Sequence, residues 1–205
     1  RPNDGTRGNT LLHLAAANGH TKAIQVLVAT GASLEAKMVG TNERGRYEST
    51  PLQLAAGSGK VAAIRALIAA GASLKDGLFS PLHMAAQDGH ALAIAVLADA
   101  GASLEAVDKD GNTPLHEATT WGHAGAIKAL VAAGAPLEAK SDAGLTPLHV
   151  AATRGHAIEV LLALGASHRS QDQDGDSPLH LAALNGQVFA IRALAAAGAS
   201  LQAHN

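Results

Sequence analysis

Six copies of one short phrase divide this chain: Thr10-Leu-Leu-His13, Thr50-Pro-Leu-Gln53, Ser80-Pro-Leu-His83, Thr113-Pro-Leu-His116, Thr146-Pro-Leu-His149 and Ser177-Pro-Leu-His180. Successive copies start 40, 30, 33, 33 and 31 residues apart. A period in the low thirties marks stacked supersecondary units, each too small to bury its apolar side alone. The 205 residues are therefore expected to form one elongated domain rather than one or two globules.

The span from Asp108 to Glu138 shows how one unit works. Asp108-Lys-Asp-Gly-Asn112 is turn-forming. Thr113 takes a helix N-cap, where its hydroxyl accepts an orphan backbone N–H, and Pro114 takes the first helical position, where a missing N–H costs nothing. That helix carries Leu115 and Ala118 and ends near Gly122. A second helix places Ile127, Leu130 and Val131 on one apolar stripe and stops at Gly134. Glycines punctuate every copy in the same way, between the helices at Gly19, Gly59, Gly89, Gly122, Gly155 and Gly186, and after them at Gly31, Gly71, Gly101, Gly134, Gly165 and Gly198. Ala-Ala pairs such as Ala85-Ala86 keep the first helix thin, so units can stack closely.

The phrases Gly-x-Thr-Pro-Leu-His-x-Ala-Ala, Gly-His and Gly-Ala-Ser-Leu-Glu-Ala make this chain resemble the ankyrin repeat family over essentially residues 4–204. The resemblance implies an all-α solenoid of paired antiparallel helices, with short hairpin fingers projecting from it and a concave face built from fingers and first helices. The chain is then a single domain, 1–205, of six repeats at approximately 4–36, 37–74, 75–106, 107–139, 140–169 and 170–203.

Three copies depart from the regular spacing. The segment from Lys37 to Ser49 carries seven additional residues, which we read as an enlarged finger loop, either functional or a neutral insertion. Copy three loses three residues at its turn, where Leu74-Lys-Asp-Gly-Leu-Phe79 runs into Ser80. Copy five loses two between Gly155 and Ile158, so its second helix is expected to start late or dock differently. The chain opens at Arg1 with Leu11, Leu12 and Leu14 close behind and ends on an ordinary repeat phrase. Terminal units normally present a polar outer face, so further repeats or domains are expected on one or both sides.

Eleven histidines invite a search for metal or acid–base sites, but the repeat accounts for nine. His13, His83, His116, His149 and His180 close the phrase; His20, His90, His123 and His156 follow the inter-helix glycine. An imidazole three positions into a helix can bond the capping hydroxyl and a neighbouring carbonyl, the structural role this position has in the family. His168 and His204 remain as surface residues, and successive histidines lie a whole repeat apart rather than converging on a metal.

Other motifs fail on their chemistry. Asp172-Gln-Asp-Gly-Asp176 opens like a calcium loop, but Ala183 stands where a bidentate acid is required. Gly57-Ser-Gly-Lys60 lacks the first glycine of a phosphate loop, at Leu54, and its magnesium-binding hydroxyl, at Val61. His116-Glu117 would need a second histidine at Thr120 to hold zinc. Cysteine is absent, which removes thiolate chemistry but leaves every redox compartment open. No convergent acid, base and nucleophile is present, so we expect no enzyme, no cofactor and no metal.

Charge argues similarly. A formal net charge of −2, and about +1 in the enlarged loop, offer no grip on nucleic acid. No apolar run reaches membrane-spanning length, so membrane insertion is not expected. Glu35, Glu105, Glu138 and Gln202 stand where the family's hydroxylated asparagine would be, making the chain a poor substrate for that modification.

Three of the four aromatics sit where the repeat assigns no packing role: Tyr47 in the enlarged loop, Phe79 at a finger base and Trp121 at the end of a first helix. In the family, the fingers and the two residues before the inter-helix glycine face partners. Carried onto this sequence, that surface comprises Gln87 and Asp88; Lys109, Asp110 and Asn112; Thr120 and Trp121; Asp142 and Leu145; and Thr153 and Arg154. It continues through Gln173, Asp174 and Asp176 to Leu184 and Asn185. Trp121 either anchors a partner or folds over Thr119 and the adjacent unit. We expect a monomeric, non-catalytic module binding a partner protein through its concave face and fingers. The alternatives are the docking arm of a larger enzyme or effector, and a spacer without a ligand. The resemblance favours an intracellular setting.

Overall fold

The computed structural model describes residues 8–42, 45–75 and 79–201, and only the backbone of residues 40–42 and 45–47. Each unit contributes two antiparallel helices: α1 (Leu11–Ala17) and α2 (Thr21–Ala29), α3 (Pro51–Gly57) and α4 (Val61–Ala69), α5 (Pro81–Gln87) and α6 (Ala91–Asp99). The pattern continues with α7 (Pro114–Thr120) and α8 (Ala124–Ala132), α9 (Pro147–Arg154) and α10 (Ile158–Ala163), and α11 (Pro178–Leu184) and α12 (Val188–Ala196).

Odd-numbered helices pack on one another in chain order to make one layer, and even-numbered helices make a second. The core lies between the layers. Leu52, Leu82, Leu115 and Leu148 from the first layer and Ile64, Ile94, Ile127 and Leu130 from the second are fully buried. Both alanines of the pairs at 55–56, 85–86 and 151–152 are fully buried too, because a larger side chain there would push neighbouring helices apart. Ala183, against which no further first helix packs among the described residues, is exposed. At the other end Leu12 is buried, while Leu11 and Leu14 are exposed.

The seven additional residues before α3 form a hairpin. β1 (Met38–Asn42) pairs antiparallel with β2 (Gly45–Ser49), from Met38 opposite Ser49 to Asn42 opposite Gly45. Val39 is buried at its base, and Lys37 lies 3.6 Å from Glu48. The insertion is thus an extended finger with its own backbone pairing. Copy three's shortened turn falls on residues 76–78, outside the described residues.

Copy five behaves as its shorter spacing predicts. α9 runs one residue further than its equivalents, and α10 has six residues where the other second helices have nine. Ala157 absorbs the shortage in a left-handed conformation, φ 61°, which costs an alanine roughly 1–2 kcal/mol.

Candidate functional site

The phrase that defines the repeat is a hydrogen-bonded device. At α7 the Thr113 N–H donates to His116 Nδ1 at 3.1 Å, and the Thr113 hydroxyl lies 2.9 Å from the same nitrogen. Because Nδ1 accepts from a backbone N–H, the ring proton sits on Nε2, which donates to the Leu145 carbonyl at 2.9 Å. Leu145 immediately precedes the N-cap of the next unit, so one ring closes its own helix and holds its neighbour. His13 reaches the Ser49 carbonyl, His83 that of Asn112 and His149 that of Asp176 in the same way. Gln53 substitutes faithfully: its Oε1 accepts from Thr50 N–H at 2.7 Å, and its Nε2 donates to the Phe79 carbonyl at 2.6 Å.

Burial lowers the pKa of His13, His83, His116 and His149 below the ordinary imidazole value, against the opposing pull of those carbonyls. These rings are neutral structural parts.

A second set of bonds runs the other way. His90 Nε2 lies 2.9 Å from the Gly57 carbonyl, and His123 Nε2 lies 2.9 Å from the Gln87 carbonyl, each at the end of the preceding unit's first helix. Gln187 Nε2 donates to the Thr153 carbonyl at 3.0 Å. The rings lie flat over glycine: a Cβ on Gly59 or Gly89 would stand 2.6 or 2.8 Å from the imidazole, and both residues have positive φ. A third tie links finger bases, where Glu138 Oε1 accepts from Ser167 N–H at 2.7 Å and Glu35 Oε1 from Ser73 N–H at 2.8 Å. Glu105 would meet Pro136 at that place, which has no N–H.

His168 does not fit the surface role expected of it. It stands where other units carry leucine, is half-buried, and its buried Nε2 lacks a partner among the described residues. It borders an open cleft of about 310 Å³ between the end of the fifth unit and the sixth, together with Arg169, Ser177, His180 and Ser200. Among the described residues no cluster of three or more His, Asp or Glu could hold a metal ion. None of their helices is long and apolar enough to cross a membrane.

The expected partner surface divides into two zones. The first is the row of first-helix ends, where α5, α7 and α9 lie side by side. Asp88, Trp121 and Arg154 are exposed there, with half-buried Gln87, Thr120 and Thr153 beside them. Trp121 is 49% exposed, so the ring covers its neighbours with only part of its surface. The Thr120 and Thr153 hydroxyls bond back to the carbonyls of His116 and His149. Farther along, Leu184 is 79% exposed and Asn185 is exposed as well.

The second zone is the fingers. Asp108 Oδ1 accepts from the N–H groups of Asp110 and Asn112 at 2.9 and 2.8 Å, and Asp172 Oδ1 from those of Asp174 and Asp176 at 3.0 and 2.9 Å. These loops are pre-formed rather than floppy. Successive tips join: Asp142 N–H donates to the Asp110 carbonyl, and Gln173 Nε2 to the Asp142 carbonyl. Lys109, Asp110, Asp142, Gln173 and Asp174 are exposed, and Lys109 pairs with Asp110 at 3.0 Å. Asn112, Leu145 and Asp176 are half-buried, their carbonyls already taken by the histidines below. Phe79 is half-buried with its ring 5.2 Å from that of His83. The side chain of Tyr47 lies outside the described residues.

One row escaped the sequence reasoning. The residue after each phrase is Leu14, Leu54, Met84, Glu117, Val150 and Leu181. These positions floor the first-helix face, and the apolar ones are only partly covered. Glu117 breaks the pattern as the one acid among them, and it is only 2% exposed. The signal was available: five of six copies are apolar at a place where the helix faces outward.

A family model described as ankyrin repeats (3 copies) matches residues 1–77, 70–141 and 133–205. The chain belongs to the ankyrin repeat family. Among solved structures it is similar to the human ASB11 ankyrin repeat domain, with a TM-score of 0.78 and 32% identity over 96% of this chain and 87% of that one. A comparison with curated protein sequences gave no match. Ankyrin repeats are generally protein–protein interaction modules and typically non-catalytic, so the first-helix ends and fingers of this ankyrin domain are the surface to weigh.

Proposed function

We propose that this ankyrin domain is a monomeric, non-catalytic recognition module that grips a partner protein through its concave face and finger loops. The observation that carries this is Trp121. It is the chain's sole tryptophan, placed mid-stack at the end of α7 and half exposed, in a fold whose core is filled by alanine, leucine and isoleucine. Tryptophan is enriched among residues that dominate interface energetics, and an apolar surface this large is costly to leave in water. The pre-formed fingers support the reading, because ordered loops lose little entropy on binding.

The test compares partner binding by the wild-type chain and by Trp121→Ala. The substitution should cost at least about 2 kcal/mol, roughly thirtyfold in affinity, with the fold intact. A loss of less than about tenfold would overturn the proposal.

A further inference from the structure

The ends of the three central first helices carry an ordered pattern of charge. Asp88 caps α5, Trp121 caps α7 and Arg154 closes α9, so along the stack the exposed row reads acid, aromatic, base. The row just inside it, Gln87, Thr120 and Thr153, is uncharged and does not blur the order. Lys109 on the neighbouring finger pairs with Asp110 at 3.0 Å.

The acidic end, though exposed, is covered on one side. Asp88 Oδ2 lies so close over Gly57 that a Cβ there would stand 2.9 Å from it, beside Met84. That partial loss of water pushes the carboxyl pKa up, against the pull of His90 and His123. A carboxylate in such a place discriminates the sign of an incoming charge more sharply than one in open water does. Neighbouring helices pack about 8–10 Å apart, close to one turn of polyproline II chain, whose three residues rise ~3.1 Å each and bring every third side chain back to one face.

We propose that this row receives a segment of the partner protein in polyproline II conformation, bearing a basic, an apolar and an acidic residue at three-residue intervals on one face, seated on Asp88, Trp121 and Arg154 in turn. This rests on the reading of the concave face as the binding surface. Exposed ion pairs add little affinity, so the charges act as selectors: a like charge opposite Asp88 or Arg154 is rejected.

The experiment is selection of displayed random peptides of about twelve residues, long enough to span three units. The baits are the full chain, Trp121→Ala, Asp88→Lys and Arg154→Glu, each checked for fold by circular dichroism. Peptides enriched on the wild type should pair one basic with one acidic residue about six positions apart around an apolar one. Asp88→Lys should shift enrichment to peptides with two acids, and Arg154→Glu to peptides with two bases, each by about tenfold or more, or roughly 1.4 kcal/mol. Enrichment that disappears with Trp121→Ala but shows no charge order overturns this inference and leaves the concave-face reading standing. Enrichment indifferent to Trp121, or none above a blank surface, overturns both.

Discussion

Replacing His116 separates the two tasks of the repeat phrase, and the chain contains its own control. The ring is fully buried and joins the Thr113 N–H and hydroxyl on one side to the Leu145 carbonyl on the other. His116→Ala strands a buried donor and a buried acceptor, at about 1–3 kcal/mol each, and leaves a void the size of an imidazole. Partial rescue by water at the half-buried Leu145 reduces this, so the expected loss is about 3–4 kcal/mol. That is a large part of the ~5–15 kcal/mol typical of a domain. His116→Gln should cost less than about 1 kcal/mol, because Gln53 makes both bonds at the equivalent place in unit two. Urea unfolding followed by circular dichroism and by Trp121 fluorescence measures both variants, with the slope checked for loss of two-state behaviour in a repeat array. Equal losses for Ala and Gln, or an Ala loss below ~1 kcal/mol, would refute the claim that the ring acts through paired hydrogen bonds.

The same rings set an acid limit. Their folded pKa values are depressed while the unfolded chain titrates near 6.5, so the unfolded state binds more protons as pH falls below that value. Stability is fully present above about pH 6.5 and falls below it, by up to ~1.4 kcal/mol per pH unit per ring until the folded pKa is reached. Unfolding of a variant carrying Gln at 83, 116 and 149 should show a much flatter pH dependence between pH 7 and 5. Ala157→Gly relieves a left-handed alanine and should stabilise the domain by about 1 kcal/mol, read as a raised urea midpoint. Gly89→Ala combines an unfavourable φ of 78° with a Cβ 2.8 Å from the His123 ring, and thermal unfolding should show a loss of about 2–3 kcal/mol.

The fold was legible because the repeat states each rule several times. Caps, Pro at the first helical turn and terminating glycines recur, so one weak copy such as Leu11 for Pro does not obscure the pattern. Departures in spacing were visible, but their form was not. Seven additional residues read as a loop, whereas backbone pairing from Met38 to Ser49 turns them into a hairpin. The phrase-closing histidines were understood from local chemistry, since their partners lie a fixed distance along the chain. The backward bonds of His90 and His123 were not, because they depend on how one helix end meets the next unit's turn. His168 was misjudged for the same reason: its neighbours belong to other elements, which a single position does not reveal. The partner surface was placed by position in the repeat. Its charge order emerged only when α5, α7 and α9 were seen side by side.

Trp121 also supplies the most direct measurement of the functional account. As the sole tryptophan it reports one site without labelling, and its indole starts half in water. Titrating the domain with a protein it captures should shift the emission to shorter wavelength and protect the ring from a soluble quencher, with both changes saturating at the binding stoichiometry. A partner that saturates the domain while the emission and quenching stay those of the unbound chain would contradict the account.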